Sequence, residues 1–402
     1  MGRIPCILLN SPSRPTSERA VRPLWSKGFR PFFLGAATFA ASFLPLWLLV
    51  WFGVVDLGAY WTYPLWHGHE MVFGYTMAVI AGFLLTAVSN WTGRETATGR
   101  WLVALVLLWT LGRLALLFSA YFPALAVVVL DVLFVPALAV AVARPLIASG
   151  NRRNYLFVGI LSLFALANLA MHLDANGLWN GAARPALLAS IDLVLLVSLV
   201  IGGRIIPAFT RNATGRTDLR TNPHVDRAVV IGMVALGLTA VILKTGIVVS
   251  LLSAAVGLLV FVRMTRWGTA SAIRKPILWV LHLGHAWLGA GLLLRGAGGL
   301  GWIIPSAATH VLTLGAIGTL TLGMMSRVPL GHTGRPLVVS RPVVAAYILV
   351  TVAVVARGIV PIVVPGLAAS AYILSGAAFA LAFAVYVVVY TPILLGPRVD
   401  RG

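Results

Sequence analysis

Residues 66–89 read WHGHEMVFGYTMAVIAGFLLTAVS, and this stretch decides the fold. It carries one formal charge, Glu70, and its apolar residues run on without the period-two alternation of a barrel strand. A helix of about 20 apolar residues crosses a bilayer, so this run is long enough to span. Runs of the same kind fill the rest of the chain, near 30–53, 101–119, 122–143, 154–174, 184–208, 227–243, 246–263, 277–295, 305–326, 342–361 and 367–391. The expected fold is an all-α integral membrane protein of twelve transmembrane helices. Of the 402 residues, 60% are hydrophobic and 10% charged, against roughly 25% charged in soluble domains. A soluble globule, a disordered chain and a coiled coil are excluded on that ground. One membrane domain over 29–395 is expected, with a polar tail at 1–28 and a short tail at 396–402. The first tail lacks the apolar core of a signal peptide, so no cleaved signal is expected.

The formal net charge of +20 would suggest nucleic acid if the basic residues were scattered. They are not. With both termini placed in the cytoplasm, 24 of the 30 Lys and Arg residues fall in the N-terminal tail, the even-numbered loops and the C-terminal tail. The other six are Arg113, Arg184, Arg204, Lys244, Arg295 and Arg357. This asymmetry follows the positive-inside rule. A basic face against anionic lipid accounts for the charge, with the bilayer as partner and no nucleic acid required.

Thr-Gly-Arg occurs at 92–94, 98–100, 214–216 and 333–335, and the first, third and fourth copies are spaced by 122 and 119 residues. Each of these three closes an inner end, of the second, sixth and tenth spans. Self-similarity at a fixed period marks a repeat, and three four-helix units over about 29–145, 150–265 and 275–395 are the simplest division. Counting 23 residues back from each Thr reaches His69, Ile191 and His310, with Asp192 one residue beyond the second. Two of the units therefore carry His at one depth.

Polar groups inside a bilayer are costly and mark function, which directs attention to the eight histidines. The single cysteine, Cys6, excludes an intrachain disulfide and any multi-cysteine metal site. A cofactor must then rest mainly on imidazole, the commonest metal ligand and an axial ligand of haem iron. No Cys-x-x-Cys-His motif is present, so any haem is held non-covalently. His69 and His310 are the expected axial pair. His67 lies about 200° around the helix from His69 and is expected at a second metal or a haem edge. His282 and His285 share a face of the ninth span. They read equally as half of a copper or second haem site, or as residues hydrogen-bonded to neighbouring helices. His172, at the outer end of the fifth span, is a further candidate metal ligand. Arg113 and Asp131 read first as a structural ion pair; Arg113, Arg204, Arg295 and Arg357 are alternatives for haem propionates. Glu70 is placed to orient a His ring.

Several motifs exceed generic membrane composition: Gly28-Phe29-Arg30-Pro31-Phe32-Phe33; Trp66 to Gly74; Gly203-Arg204-Ile205-Ile206-Pro207-Ala208-Phe209-Thr210; His310 to Ala316; and Ser326-Arg327-Val328-Pro329-Leu330-Gly331-His332-Thr333-Gly334-Arg335. On these the chain closely resembles the NnrS family of bacterial inner-membrane proteins, from about residue 22 to 395. The resemblance implies twelve spans, haem b and copper, and a role in the nitric oxide response beside denitrification or nitrosative stress. It carries His67, His69, His282, His310 and His332 as motif histidines; His285 and His172 transfer less well. The threefold pattern also resembles the catalytic subunit of haem-copper oxidases, whose low-spin haem is held by His on spans two and ten. Ala308 and Leu312 stand where a second haem ligand on span ten would be, and spans six and seven lack the expected His. The binuclear centre of those enzymes is therefore not expected.

The function expected is a haem, and copper, protein that binds nitric oxide or performs membrane redox chemistry, drawing electrons from quinol or another membrane donor. Whether it turns over is left open. The alternative is a transporter of a metal, haem or small molecule, although common transporters show twofold repeats.

Overall fold

The computed structural model describes residues 22–58 and 60–399. Cys6 and most of the expected N-terminal tail lie outside the described residues, as do the last three residues of the C-terminal one. Among the described residues, twelve helices are long and apolar enough to cross a membrane: α1 (Phe29–Trp51), α2 (Tyr63–Thr92), α3 (Gly99–Leu117), α4 (Ala124–Ala148), α5 (Arg152–Ala175), α6 (Ala183–Thr214), α7 (Pro223–Leu243), α8 (Ile247–Met264), α9 (Pro276–Gly299), α10 (Pro305–His332), α11 (Arg341–Val363) and α12 (Pro365–Leu395). No strand occurs among the described residues. The expected spans match one for one. Hydropathy stops short at the ends of α6 and α10, where Arg211 and Arg327 are polar but still helical.

The helices close into a ring. α4 packs on α5, α8 on α9 and α12 on α1. Arg30 fastens the closure by donating Nη1 to the carbonyl oxygens of Leu394 and Gly396, both at 2.7 Å. α6 touches both α2 and α10 inside the ring, and the Tyr75 and Thr321 hydroxyls join α2 to α10 at 2.6 Å. α2 and α10 are the most enclosed spans and α7 the most peripheral. Leu, Ile and Val side chains are exposed along the outward faces, as a lipid-facing surface requires.

The Thr-Gly-Arg copies at 92–94, 214–216 and 333–335 build the same helix stop, whereas the copy at 98–100 opens α3. Each Thr hydroxyl donates to the carbonyl four residues back, Thr92 to Val88, Thr214 to Thr210 and Thr333 to Pro329, all at 2.7 Å. The following glycine takes a left-handed backbone, φ 65° at Gly93, 70° at Gly215 and 77° at Gly334. An L-residue in that conformation costs about 1–2 kcal/mol, so glycine is the residue that ends the helix cleanly. The recurring spacing of these three copies thus reflects one repeated local structure.

Three stretches depart from regular α-helix by widening to π-helical turns: Glu70–Thr76 in α2, Val311–Gly318 in α10 and Val355–Ile359 in α11. The first two begin one residue after His69 and His310, the pair that the repeat places at one depth. Such turns cluster at functional sites because they displace side chains from helical register.

The helix stops separate two effects of adding a Cβ. Nothing lies near Gly215, so Gly215→Ala should cost about 1–2 kcal/mol from backbone strain alone. A Cβ at Gly334 would also overlap the Val399 carbonyl. Gly334→Ala should therefore lower the thermal unfolding midpoint of the detergent-solubilised protein further than Gly215→Ala; equal midpoints would refute the packing argument.

Candidate cofactor cavity and buried polar cluster

α2 presents His67 and His69 to opposite sides, as a two-residue separation on a helix dictates. His67 faces a cavity of about 400 Å³ between α1, α2, α6, α10, α11 and α12. His310 lines the same cavity from α10, and Arg357 lines it from α11. The remaining wall is largely apolar, with Leu44, Trp47, Leu187, Leu314 and Phe379 among its members. All three π-helical turns contribute to it, through Met71 and Tyr75, Thr313 and Ile317, and Arg357.

The polar atoms of this cavity are unevenly satisfied. His310 Nδ1 lies 2.6 Å from the Ser306 carbonyl oxygen, so Nδ1 carries the hydrogen and Nε2 is left with its lone pair. His67 stacks on Trp47, with ring centroids 4.3 Å apart, and its buried Nδ1 has no hydrogen-bond partner. Arg357 lies over the Tyr372 ring at 4.1 Å, and its buried Nη1 also has none. A buried donor without a partner is expensive. Two imidazoles and an unsatisfied guanidinium on one apolar cavity form a donor set suited to an iron porphyrin: nitrogen for the metal, a cation for a carboxylate, and carbon for the ring.

His69 enters a different site. On the other side of α2, a polar cluster joins α2 to α3, α4 and α5. Glu70 Oε1 accepts from Arg113 Nη1 at 2.7 Å, and Arg113 Nη2 donates to Asp131 Oδ1. Asp131 Oδ2 lies 2.9 Å from His172 Nε2 and 3.2 Å from His69 Nε2, and accepts from Asn168 Nδ2 at 2.8 Å. His69 Nδ1 lies 3.2 Å from Glu70 Oε1. The cluster is buried throughout, with His69 and His172 fully so. Trp61, from the α1–α2 connection, covers both imidazoles with centroid distances of 4.6 and 5.0 Å.

The structure therefore groups the expected residues differently from the repeat argument. His310 shares its cavity with His67 instead of His69. The repeat argument concerns position along α2 and not facing, since the facing is decided by which neighbours α2 meets. Arg113 forms the ion pair read from its spacing with Asp131 and gains Glu70 as a second partner. It does not line the cavity. Arg295 pairs with Asp192 across α9 and α6, so both of its terminal nitrogens are occupied. Arg357 is the arginine that reaches the imidazoles.

His282 is hydrogen-bonded on both sides, with Nε2 2.9 Å from Thr210 Oγ1 and Nδ1 3.0 Å from Thr269 Oγ1. That is the hydrogen-bonded arrangement anticipated beside the metal reading. His285 packs against Trp267 at 4.6 Å, and neither ring nitrogen has a partner. Arg204 lies at the basic face, with Arg153 and His332, on a separate cavity of about 500 Å³. Asn168 went unnoticed in the chain, although it stands four residues before His172 and thus on one helical face.

The family model described as NnrS protein matches residues 23–398. No curated protein matches the chain.

Arg113 neutralises two buried carboxylates, and losing one partner of a buried ion pair costs about 3–5 kcal/mol. Arg113→Met should lower the unfolding midpoint sharply, and adding Glu70→Gln and Asp131→Asn to it should recover part of the loss. No recovery in the triple variant would show that Arg113 acts through packing alone.

Proposed function

The chain belongs to the NnrS family, and from that membership together with the cavity we propose that it is a haem protein of the nitric oxide response in the bacterial inner membrane. Haem b would be held non-covalently between α2 and α10 by His310 and His67, with Arg357 offering a cation for a carboxylate of the group. The observation that carries this reading is the convergence of those two imidazoles and an unpartnered Arg357 on one apolar cavity.

Each residue has a definable task. The Ser306 carbonyl fixes the His310 ring and its tautomer, the orienting role that a second hydrogen bond plays for a metal-bound imidazole. His67 is positioned by stacking on Trp47 instead of by a hydrogen bond. Arg357 offers the guanidinium geometry that matches a carboxylate. The apolar wall keeps water out and admits a small apolar gas from the lipid phase. Iron in this cavity would supply one-electron chemistry or a binding position for nitric oxide, with quinol or another membrane donor as the electron source. Both termini lie on the cytoplasmic side in this reading, with the Thr-Gly-Arg stops on the same side. Copper belongs to the same proposal as a second cofactor. The three-unit organisation is likewise proposed, supported by the like helix stops and by the packing of each unit's last span on the first span of the next.

The test is the optical spectrum of the purified protein, oxidised and dithionite-reduced, with and without nitric oxide. The parent should show a b-type haem. His310→Ala should abolish it or convert it to a high-spin form, and so should His67→Ala. His69→Ala should keep the haem, because its ring lies outside the cavity. Arg357→Leu should lower haem occupancy several-fold. A parent without haem, or unchanged spectra in both the His67 and His310 variants, would sink the assignment and move the transporter reading ahead.

A further inference from the structure

The cluster around His69 has more acceptors than protons to satisfy them. Neutral imidazole carries one N–H. His69 nevertheless meets a carboxylate oxygen on each ring nitrogen, Glu70 at Nδ1 and Asp131 at Nε2, both at 3.2 Å. Whichever nitrogen lacks the hydrogen points a lone pair at an anion. Asn168 does not resolve the conflict. With Nδ2 donating to Asp131, its Oδ1 lies 2.8 Å from His69 Nε2, a further acceptor. Turning the amide over would merely set its oxygen against Asp131.

The charge balance points the same way. Glu70 and Asp131 bring two negative charges and Arg113 one positive charge, all within a buried site. The site is left net negative at the place where the lone pairs meet, which favours a bound cation. The geometry points to a metal ion there: we propose that His69 Nε2, His172 Nε2 and Asp131 Oδ2 bind a single first-row transition-metal ion.

Three features support a metal over a bare proton. The three donor atoms lie within 4.8 Å of one another. Asp131 Oδ2 stands 3.2 and 2.9 Å from the two imidazole nitrogens, while ligands about 2.1 Å from a tetrahedral ion are about 3.4 Å apart. Small adjustments therefore admit the ion. The second ring nitrogens are also turned outward to partners, His69 Nδ1 to Glu70 and His172 Nδ1 to the Tyr60 hydroxyl at 3.4 Å. That is the arrangement by which proteins fix the tautomer of metal-ligating histidines. A proton needs one acceptor pair, whereas this site converges three acceptors and orients both rings. Two imidazoles with one carboxylate suit copper, zinc or iron, and not the hard cations that prefer all-oxygen cages. Asn168 Oδ1 is the fourth atom within reach.

The inference rests on the cluster's donor geometry and not on the haem reading, and the test keeps the two apart. Full-length protein in detergent is stripped with chelator, incubated with excess copper(II) or, separately, zinc(II), desalted, and analysed for metal per chain. The parent should retain one equivalent of at least one of the two ions. His172→Gln and Asp131→Asn should each reduce retention at least tenfold, while His67→Ala and His282→Ala should keep the full equivalent. Size-exclusion profiles select the variants that remain folded, and the two substitutions at different ligands provide independent measurements. In the copper(II)-loaded parent, electron paramagnetic resonance should show hyperfine coupling to nitrogen that diminishes in His172→Gln. A chelator-stripped parent that takes up neither ion overturns the proposal, as does full retention in folded His172→Gln. If His67→Ala loses haem but retains the metal, the metal site stands independently; if it loses the metal, the assignment of ligands is wrong.

Discussion

An α-helix turns about 200° in two residues, and that rotation organises this molecule. Because His67 and His69 occupy α2 at that separation, one enclosed helix serves two environments. On one side it meets α10 and α11 across an apolar cavity; on the other it meets α3, α4 and α5 through buried charge. Neither environment could be built at the lipid-facing edge of the ring, where unpartnered imidazole or carboxylate would be costly. The enclosure of α2 is thus a condition for its polarity. The closure of α12 on α1, fastened by Arg30, completes the ring around it.

The two environments obey different rules of satisfaction. In the cluster, nearly every polar atom has a near neighbour, and the difficulty is that too many of these neighbours are acceptors. In the cavity the difficulty is the reverse: His67 Nδ1 and Arg357 Nη1 have no partner at all. Buried polar atoms are normally paired, so the two places depart from that rule in opposite senses. The π-helical turns fall in the walls of the cavity and not in the peripheral spans. Local widening there sets Arg357 and the residues after His310 out of the register that a regular helix would impose.

Much of the architecture was legible in the chain because the bilayer imposes length and hydropathy on every span. The twelve helices follow from that constraint, and the Thr-Gly-Arg stops follow from the need for a left-handed glycine after a helix. The Arg113–Asp131 pair was legible too, since unpaired charge is untenable at that depth. The facing of His69 was not, because hydropathy gives depth along a helix axis but not rotation around it in a chain apolar on nearly every side. Arg357 was visible only as one of several arginines able to meet a carboxylate. What singled it out was the loss of its rivals, Arg113 to Glu70 and Asp131, and Arg295 to Asp192. Those pairings join residues from 18 to 103 positions apart in sequence, a relation no local pattern encodes.

Glu70 connects the two environments. Its carboxylate accepts from Arg113 and faces His69, while Met71, the next residue, already lines the cavity. A change of charge at the cluster is therefore felt within one helical turn of the cavity, in a medium that screens poorly. Surface charges separated by a Debye length of salt solution would be nearly independent; these are not. The charge state of the cluster therefore bears on the cavity that His67 and His310 line, and Glu70 is the residue through which α2 carries that dependence.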